Sequence, residues 1–457
     1  MDHLKIALIG AGSVSFAPPT IRDLLLNERL NSVPLEICLM DIQEAPCRVS
    51  QAYAAAVAQK LGRSAKITAT TSLEQALEGA HFVVTAIEKE RYFYWSQDFH
   101  IPRKYGSNQI YGENGGPGGM FHTLRNLGPL LEIAHAMERL CPEAWLINYS
   151  NPEAKLVEAI TRLTRIRCVG LCHGIYMGLE QLSRFLEIPP EDLEVAACGL
   201  NHFGWFQSIR HRHTGEDLYP LLKEKERQAD WLADWDELAL SRVLLRVYGL
   251  YPYPGANHIG EYIRWADAFL AGALMQYFYD PLTEDPWKTG RIPEFVYSAS
   301  SLREKPLFAR AASPAASPGE APFALTAEEL TPSHEVGVPI IESIAFDAPR
   351  ELLAVNLPNR GSIPGLPDDM VVELPARADG SGLHPRQMAP LPAAITEMIR
   401  LQGVIHQLII EAYVEQSRNK LLQAVLLDPT TPPYRNAVAM INEMCELQKD
   451  VLPPLRW

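Results

Sequence analysis

The sequence predicts an α/β protein whose amino-terminal part is a doubly wound parallel sheet and whose carboxyl-terminal part is α+β. Three observations favour this fold class. Short apolar runs alternate with helix-like segments as far as Glu187, a glycine-rich turn follows the first apolar run, and an acidic residue ends the second. We place the boundary between the two parts after residue 190, which gives domains 1–190 and 191–457.

The first predicted strand, Lys5–Ile9, leads into Gly10-Ala11-Gly12-Ser13 and then into a helix. Glycines permit a tight turn, and the amino terminus of a helix attracts the phosphates of a dinucleotide. Ser15 stands where a third glycine would complete the usual motif. The second strand, Leu35–Met40, ends in Asp41, which would hold ribose hydroxyls and repel a 2′-phosphate. The pattern predicts a Rossmann-like NAD-binding domain; a glycine turn in an unrelated α/β protein is the alternative.

The alternation of strands and helices continues beyond Asp41. Because the carboxyl ends of parallel strands meet at one edge, where ligands bind, we expect Thr85 and Ile87 beside the cofactor. The further predicted elements are a helix over Arg48–Gly62 and strands over Lys66–Thr70, His81–Ile87, Trp145–Asn148 and Ile166–Leu171.

A glycine-rich stretch, Tyr111–Gly119, interrupts this pattern. Glycine at this density predicts either a surface loop or backbone that approaches a ligand closely. We expect a helix from about Met120 that carries Arg125.

Several reactive side chains fall at the carboxyl ends of predicted strands, namely Glu88, Asn151 and the pair Cys172-His173. Asn201-His202 follows a later apolar run. A thiolate and an imidazole suit a divalent transition ion, so these residues together indicate a metal site. Taken singly, a cysteine is more often a small buried side chain than a metal ligand, and a histidine is more often a hydrogen-bonded structural residue.

The sequence of the carboxyl-terminal half indicates fewer functional residues. His258 and Tyr262 are four residues apart and are expected to share a helix face. The predicted elements are helices over Trp231–Tyr248, Ala393–Leu427 and Arg435–Leu452, strands over Pro339–Ile344, Leu352–Val355 and Val371–Leu374, and a long loop over Gly290–Glu335.

Taken in order, these stretches resemble glycoside hydrolase family 4, the NAD- and manganese-dependent glycosidases. The resemblance covers nearly the whole chain. Its residues are Gly10–Ser13, Gly116–Gly119 with Leu124-Arg125, Asn148–Pro152, Gly170–Gly174, Gly199–Trp205, His258–Tyr262, Val355–Asn359, Val371–Pro375 and Asp428-Pro429. The Cys172-His173-Gly174 form is most similar to the α-glucuronidase subgroup.

The resemblance implies a route in which NAD oxidises C3 of the sugar and the metal helps to acidify the C2 proton. A base removes that proton, the aglycone leaves from C1, water adds, and C3 is reduced again. Cys172 and His202 are implied as metal ligands, Tyr262 as the base, and Cys172 and His173 as further catalytic residues.

The expected binding residues fall into two sets. Those for NAD are Gly10, Gly12, Ser13, Phe16, Asp41, Thr85, Ile87 and Asn148. Those for the glycoside are Glu88, Glu113, Arg125, Asn151, His173, His258 and Arg264. A uronic acid needs a cation near C6, and the choice stays open among Arg91, Arg103, Arg125, Arg264 and Arg360.

Composition narrows the class of protein. The 41 basic and 55 acidic residues give a net charge of −14, which disfavours nucleic acid and anionic membranes as main partners. The chain starts without a signal-peptide pattern, and its seven scattered cysteines suit reduced thiols, so we expect a cytoplasmic enzyme. We also expect a homodimer or homotetramer, with residues 191–457 contributing to substrate, metal and subunit contacts.

Three alternatives remain. The first is a related activity of the same family, as an α-galacturonidase, α-galactosidase or α-glucosidase. The second is a 2-hydroxy acid dehydrogenase of the lactate or malate type, which would explain the dinucleotide half but not Cys172-His173. The third is a non-catalytic NAD-binding sensor.

Overall fold

The amino-terminal half is a parallel sheet with the strand order of a dinucleotide-binding fold. The computed structural model describes residues 3–228, 238–269, 282–290, 325–327 and 330–457. The order β3-β2-β1-β4-β5-β6 reverses direction beside β1, which confirms the predicted Rossmann-like class. The strands are β1 (Leu4–Ile9), β2 (Leu35–Met40), β3 (Lys66–Thr70), β4 (Phe82–Thr85), β5 (Trp145–Asn148) and β6 (Arg167–Gly170).

Helices cover both faces of this sheet. Leu4, Ile6 and Leu8 of β1 pack into one apolar cluster, and Ala7 and Ile9 pack into another on the opposite face. A strand buried on both faces explains the continuous apolar run in the sequence. The helices are α1 (Ala17–Leu26), α2 (Glu44–Leu61), α3 (Leu73–Leu77), α4 (Arg91–Lys104), α5 (Gly116–Leu140), α6 (Glu153–Leu163) and α7 (Gly174–Leu186).

The carboxyl-terminal strands extend the same sheet in antiparallel fashion. The order continues β6-β10-β11-β7-β8-β9, with Asn356 opposite Gly170 and Glu373 opposite Gly199. The sheet is therefore continuous across residue 190, and the predicted domain boundary stays a prediction. The strands are β7 (Leu193–Leu200), β8 (Phe203–His211), β9 (Tyr251–Tyr253), β10 (Arg350–Pro358), β11 (Val371–Asp379) and β12 (Gly382–Pro385).

The remaining helices pack around these strands. Ile405, Leu421 and Met440 from the last three helices join Ile101 of α4 and Leu124 of α5 in a third apolar cluster. No described helix is long and apolar enough to cross a bilayer. The helices are α8 (Tyr219–Gln228), α9 (Leu238–Tyr248), α10 (Ala256–Ile259), α11 (Pro286–Thr289), α12 (Gly337–Phe346), α13 (Ala393–Glu415), α14 (Arg418–Leu427) and α15 (Tyr434–Leu447).

Two predicted elements are wrong. Pro339–Ile344 is not a strand but part of α12, whose Ile340 and Ile341 are fully buried. A short apolar run does not distinguish a strand from a buried helix. The helix predicted over Ala393–Leu427 is two helices, because Gln416 adopts a left-handed conformation (φ 53°) and Ser417 caps α14.

The prediction that His258 and Tyr262 share one face of a helix is also wrong. Helix α10 ends at Ile259, and Gly260–Tyr262 forms a tighter turn. Parts of two other predictions, over 231–237, 291–324 and 328–329, lie outside the described residues.

Candidate active site

The glycine turn lies where the chain reverses its winding direction. Gly10 has φ 87°, and a Cβ atom there would lie 2.3 Å from the carbonyl oxygen of Ala86. Glycine is therefore required both by the backbone conformation and by the close approach of the β1 and β4 ends. This crevice at the carboxyl ends of the strands is the usual place for a dinucleotide.

The other residues predicted to bind NAD gather around this turn. The Asp41 carboxylate accepts hydrogen bonds from the backbone N–H groups of Gly12 (2.9 Å) and Gln43 (3.0 Å). Ser13 Oγ accepts one from the Phe16 N–H at 3.3 Å, at the start of α1. The Phe16 ring stacks on Tyr149 with a 4.9 Å centroid separation. Asp41 and the open helix end thus offer a cradle with the chemistry that NAD needs.

Thr85 and Asn148 form the floor of this crevice. Both are fully buried, and the Thr85 hydroxyl donates to the Asn148 side-chain oxygen at 2.9 Å. The Ile87 N–H donates to Ser150 Oγ at 2.8 Å. These polar groups bond to one another and join the ends of β4 and β5.

Three side chains from different parts of the chain form a candidate metal cluster. The ligand atoms of Glu113, His202 and His258 all lie within 4.8 Å of one another. The two imidazole rings meet edge to face at 4.4 Å, and in the described part of the chain the buried Nδ1 of His202 has no hydrogen-bond partner. His202 has φ 63°, at the turn between β7 and β8.

Burial keeps both imidazoles in the form that binds metals. Burial and the neighbouring His258 hold the pKa of His202 well below its ordinary value. Burial also lowers the pKa of His258 to about 4, although Glu113 acts in the opposite direction. Neutral imidazoles with a carboxylate suit a divalent transition ion.

The predicted ligand Cys172 lies at the tip of β6 but is not one of these three residues. Its Sγ accepts a hydrogen bond from the Gly174 N–H at 3.4 Å, and burial, with Glu373 nearby, raises the pKa of the thiol. The predicted pairing of Cys172 with His202 stays a prediction. His173 is partly exposed, and its Nδ1 lies 3.3 Å from a carboxylate oxygen of Glu335.

Tyr262, the predicted base, is buried beside this cluster. Its hydroxyl donates to the backbone oxygen of Asn201 at 3.4 Å, next to His202. Burial and the adjacent Glu261 raise the pKa of the phenol well above its ordinary value. This environment opposes formation of a phenolate.

Several residues predicted to contact the substrate lie beside the cluster around a cavity too small for a water molecule. It is lined by Glu88, Arg91, Trp95, Glu113, His122 and Arg125. Burial raises the pKa of Glu88, but His122 at 2.7 Å and the nearby arginines outweigh this effect and bring it to about 2.

The predicted arginines occupy different surroundings. Arg125 is buried and bonds to Asp98 at 2.8 Å, whereas Arg264 is exposed. Arg91 is partly exposed and pairs with Glu113. Asn151 is partly buried, and its backbone oxygen accepts from Asn126 at 2.8 Å.

The glycine-rich stretch after Tyr111 is internal rather than a surface loop, and α5 begins at Gly116, earlier than predicted. The Glu113 and Asn114 N–H groups point at Glu261. A Cβ at Gly118 would lie 2.4 Å from the backbone oxygen of Asp98. Close packing of the protein against itself explains these glycines.

Sequence reasoning missed three buried side chains that organise the site: His122, Glu261 and Glu373. The glutamates each interrupt an apolar run, Ile259–Ile263 and Val371–Leu374. A buried carboxylate requires hydrogen-bond donors, so a glutamate inside an apolar run is the signal that could have found both.

The fold and the site together define an α/β protein with a dinucleotide-binding fold and a candidate transition-metal cluster beside the edge of the sheet where the cofactor would bind. Residues 5–188 match the sequence profile of family 4 glycosyl hydrolases, and residues 197–431 match that of the family 4 glycosyl hydrolase C-terminal domain. The chain belongs to glycosyl hydrolase family 4, which confirms the family predicted from its motifs.

Relatives with several activities resemble the chain over nearly its whole length. It is 32% identical to an alpha-glucosidase of Erwinia rhapontici, with 99% of both chains covered. It is 29% identical to an alpha-galactosidase of Bacillus subtilis (98% and 99% covered) and 27% identical to an alpha-galacturonidase of Thermoanaerobacter italicus (99% and 98% covered). None of these three relatives is named as a glucuronidase, so the assignment to the α-glucuronidase subgroup stays a prediction.

Solved structures share the fold. A 6-phospho-alpha-glucosidase from gut microorganisms, solved in complex with NAD and Mn²⁺, has a TM-score of 0.78 at 22% identity, with 99% of this chain and 100% of that chain covered. A malate dehydrogenase of Plasmodium falciparum has a TM-score of 0.50 at 14% identity, with 90% and 99% covered. At these identities the likeness concerns the fold alone.

Proposed function

We propose that the protein is an NAD- and metal-dependent glycosidase that hydrolyses α-glycosides of non-phosphorylated sugars. The observation that carries the proposal is the cluster of Glu113, His202 and His258 at the sheet edge that also holds the glycine turn. Membership of glycosyl hydrolase family 4 and the names of the relatives support it. The related structure solved with NAD and Mn²⁺ supports the choice of these two cofactors.

The residues around the glycine turn would hold NAD. The backbone of Gly10 and Gly12 leaves room for the pyrophosphate at the start of α1, and Asp41 lies where ribose hydroxyls would bind. Phe16, stacked on Tyr149, would flank the reactive end of the cofactor.

The metal would be held by His202 with Glu113 and His258, and we keep Cys172 as the predicted further ligand. When bound, NAD would accept a hydride from a ring carbon of the sugar while a divalent ion polarised the neighbouring oxygen atoms. The neutral imidazoles need lose no proton to coordinate an ion, which favours loading near neutral pH.

Tyr262 remains our proposed base for the C2 proton. Its hydroxyl lies at the backbone of Asn201, directly before His202. Burial raises the pKa of this phenol, and the positive charge of an ion at His202 would act in the opposite direction. His173, oriented by Glu335, is the proposed contact to the sugar.

Charge balance favours a neutral hexoside, either an α-glucoside or an α-galactoside. Two arginines lie beside the cluster, and both already have carboxylate partners, Asp98 for Arg125 and Glu113 for Arg91. A sugar phosphate or a uronate would have to compete with these partners.

The α-glucuronide predicted from Cys172-His173-Gly174 is the second candidate. Arg91 is partly exposed and could meet a sugar carboxylate, and a relative named alpha-galacturonidase supports a uronide. Gly174 itself has a packing explanation, because a Cβ there would lie 3.2 Å from Pro254.

A panel of aryl α-glycosides tests the proposal. Glucosides, galactosides, glucuronides, galacturonides and 6-phosphoglucosides are assayed with and without NAD, Mn²⁺ and a thiol reductant, in deuterated water. We expect turnover only with NAD and metal, and deuterium at C2 of the product. Hydrolysis without NAD and metal, or a product without deuterium, would contradict the mechanism.

Two further features stay proposals. A homodimer or homotetramer is tested by light scattering coupled to size-exclusion chromatography, and a mass of a single chain would contradict it. The domain boundary after residue 190 is tested by limited proteolysis, in which a first cleavage near that position is expected.

A further inference from the structure

Glu261 is a fully buried carboxylate that holds the backbone of the loop carrying Glu113. One of its oxygens accepts hydrogen bonds from the N–H groups of Glu113 at 2.7 Å and Asn114 at 3.0 Å. A Cβ atom at Gly115 would lie 2.6 Å from the Cβ of Glu261, so glycine allows this close approach. Successive N–H groups directed at one point form a nest that binds an acceptor group, and here the acceptor is an oxygen of the protein's own side chain.

The opposite side of the same loop is held as well. The ammonium group of Lys155 donates to the backbone oxygen of Asn114, and His122 Nδ1 lies 2.8 Å from the backbone oxygen of Glu113. Glu261 and His122 therefore clamp the peptide between Glu113 and Asn114 from both sides, and Lys155 holds the peptide that follows it. The position of the Glu113 side chain follows from this clamp.

One short segment controls two of the three cluster residues. His258 belongs to the cluster directly, and Glu261 follows it by three residues. Displacement of this segment would move His258 and, through Glu261, the loop that carries Glu113.

We propose that Glu261 is a positioning residue that sets the distance between Glu113 and His258, and thereby the affinity for a divalent transition ion. The inference rests on the metal binding given under the proposed function. Loss of a group that orients a ligand typically weakens metal affinity by about 10- to 100-fold. Glutamine keeps one carbonyl oxygen for the two N–H donors, whereas leucine keeps none.

The experiment compares full-length wild type, Glu261→Gln and Glu261→Leu. Mn²⁺ affinity is measured by electron paramagnetic resonance of the unbound ion, and NAD affinity by fluorescence titration. We expect Mn²⁺ affinity to fall about tenfold in Glu261→Gln and about 100-fold in Glu261→Leu, with NAD affinity unchanged. Glu226→Gln is the matched control, since Glu226 is a buried glutamate that pairs with Arg246 between α8 and α9; its Mn²⁺ affinity should equal that of wild type.

Each outcome separates the two ideas. Wild type that does not bind Mn²⁺ overturns the proposed function, and with it this inference. If Glu261→Leu folds and binds Mn²⁺ as tightly as wild type, the positioning role alone is overturned. If Glu261→Leu does not fold, Glu261→Gln decides, and equal losses of NAD and Mn²⁺ affinity in that variant also overturn the role.

Discussion

The side-chain amide of Asn201, in the turn between β7 and β8, donates a hydrogen bond at 2.9 Å to the carboxyl group of Glu373 on β11. The same oxygen accepts from Asn356 of β10 at 3.2 Å. Asn201 directly precedes His202, so this buried group connects the carboxyl-terminal strands to the metal cluster. The turn that carries His202 is thus held by residues far away in sequence.

Replacement of Glu373 should show this connection in stability. Glu373→Leu leaves the amides of Asn201 and Asn356 without their acceptor, and each such loss costs about 1–3 kcal/mol. Because burial raises the pKa of Glu373, neutral glutamine is a close substitute, and Glu373→Gln should cost less. Urea unfolding of both variants measures the difference; equal stabilities of the leucine variant and wild type would contradict it.

His202→Asn should separate the metal role of this residue from its backbone role. Asparagine tolerates the left-handed conformation that His202 adopts, so the fold should persist. The lost imidazole should weaken Mn²⁺ binding by at least about 100-fold, the upper end of what loss of an orienting group costs. Circular dichroism checks the fold and metal titration the affinity, and retained affinity would remove His202 from the site.

Cys172→Ser tests the ligand expected from the sequence. A serine hydroxyl is a poorer ligand than a thiolate for a transition ion, so metal binding and turnover should both be lost while the fold stays intact. His258→Gln provides the comparison within the cluster. Unchanged Mn²⁺ affinity of Cys172→Ser would exclude Cys172 as a ligand, and full turnover in the presence of a chelator would contradict the metal dependence itself.

Gly10→Ala should abolish NAD binding. The added methyl group would lie 2.3 Å from the carbonyl oxygen of Ala86, and the residue has φ 87°. Gly79→Ala is the matched control, because Gly79 has φ 68° and nothing within 4 Å of the added atom. The control should lose only about 1–2 kcal/mol of stability to backbone strain. Fluorescence titration with NAD compares them, and equal affinities would contradict the role of the turn.

The stability of the protein should depend on pH through His406. Burial, together with the nearby Lys155 and Arg162, lowers the pKa of His406 from 6.5 to about 4, although Glu158 at 3.3 Å acts in the opposite direction. Between these values the unfolded chain binds the extra proton, so the contribution of His406 to stability is greatest above pH 6.5 and is lost as the pH drops towards 4.

His406→Gln should reduce the pH dependence of stability, and the buried His202 and His258, whose pKa values are also lowered, should keep part of it. The single histidine accounts for roughly 3 kcal/mol across that range. Urea unfolding of wild type and variant at pH 4.5 and pH 7 measures the contribution. Identical pH dependence in the two proteins would show that His406 is not the responsible group.

Local patterns determined the amino-terminal fold. A strand buried on both faces, such as β1, must be apolar throughout, and the turn after it needs glycine at Gly10, so both features are visible in the sequence. The motif order also predicted the family. Pro339–Ile344 was wrongly predicted because burial of Ile340 and Ile341 against the rest of the protein, not local propensity, stabilises a helix there.

The sequence by itself determined the alternation of strands and helices, the cofactor edge and the identity of His202 as a candidate ligand. Only the tertiary structure decided which residues join it, because Glu113 lies in the loop before α5 and His258 in the short helix α10, and they meet through contacts that no local pattern records. It also decided that Glu261 holds the loop that carries Glu113 and that Glu373 holds the turn that carries His202, since buried carboxylates find their hydrogen-bond donors in distant parts of the chain.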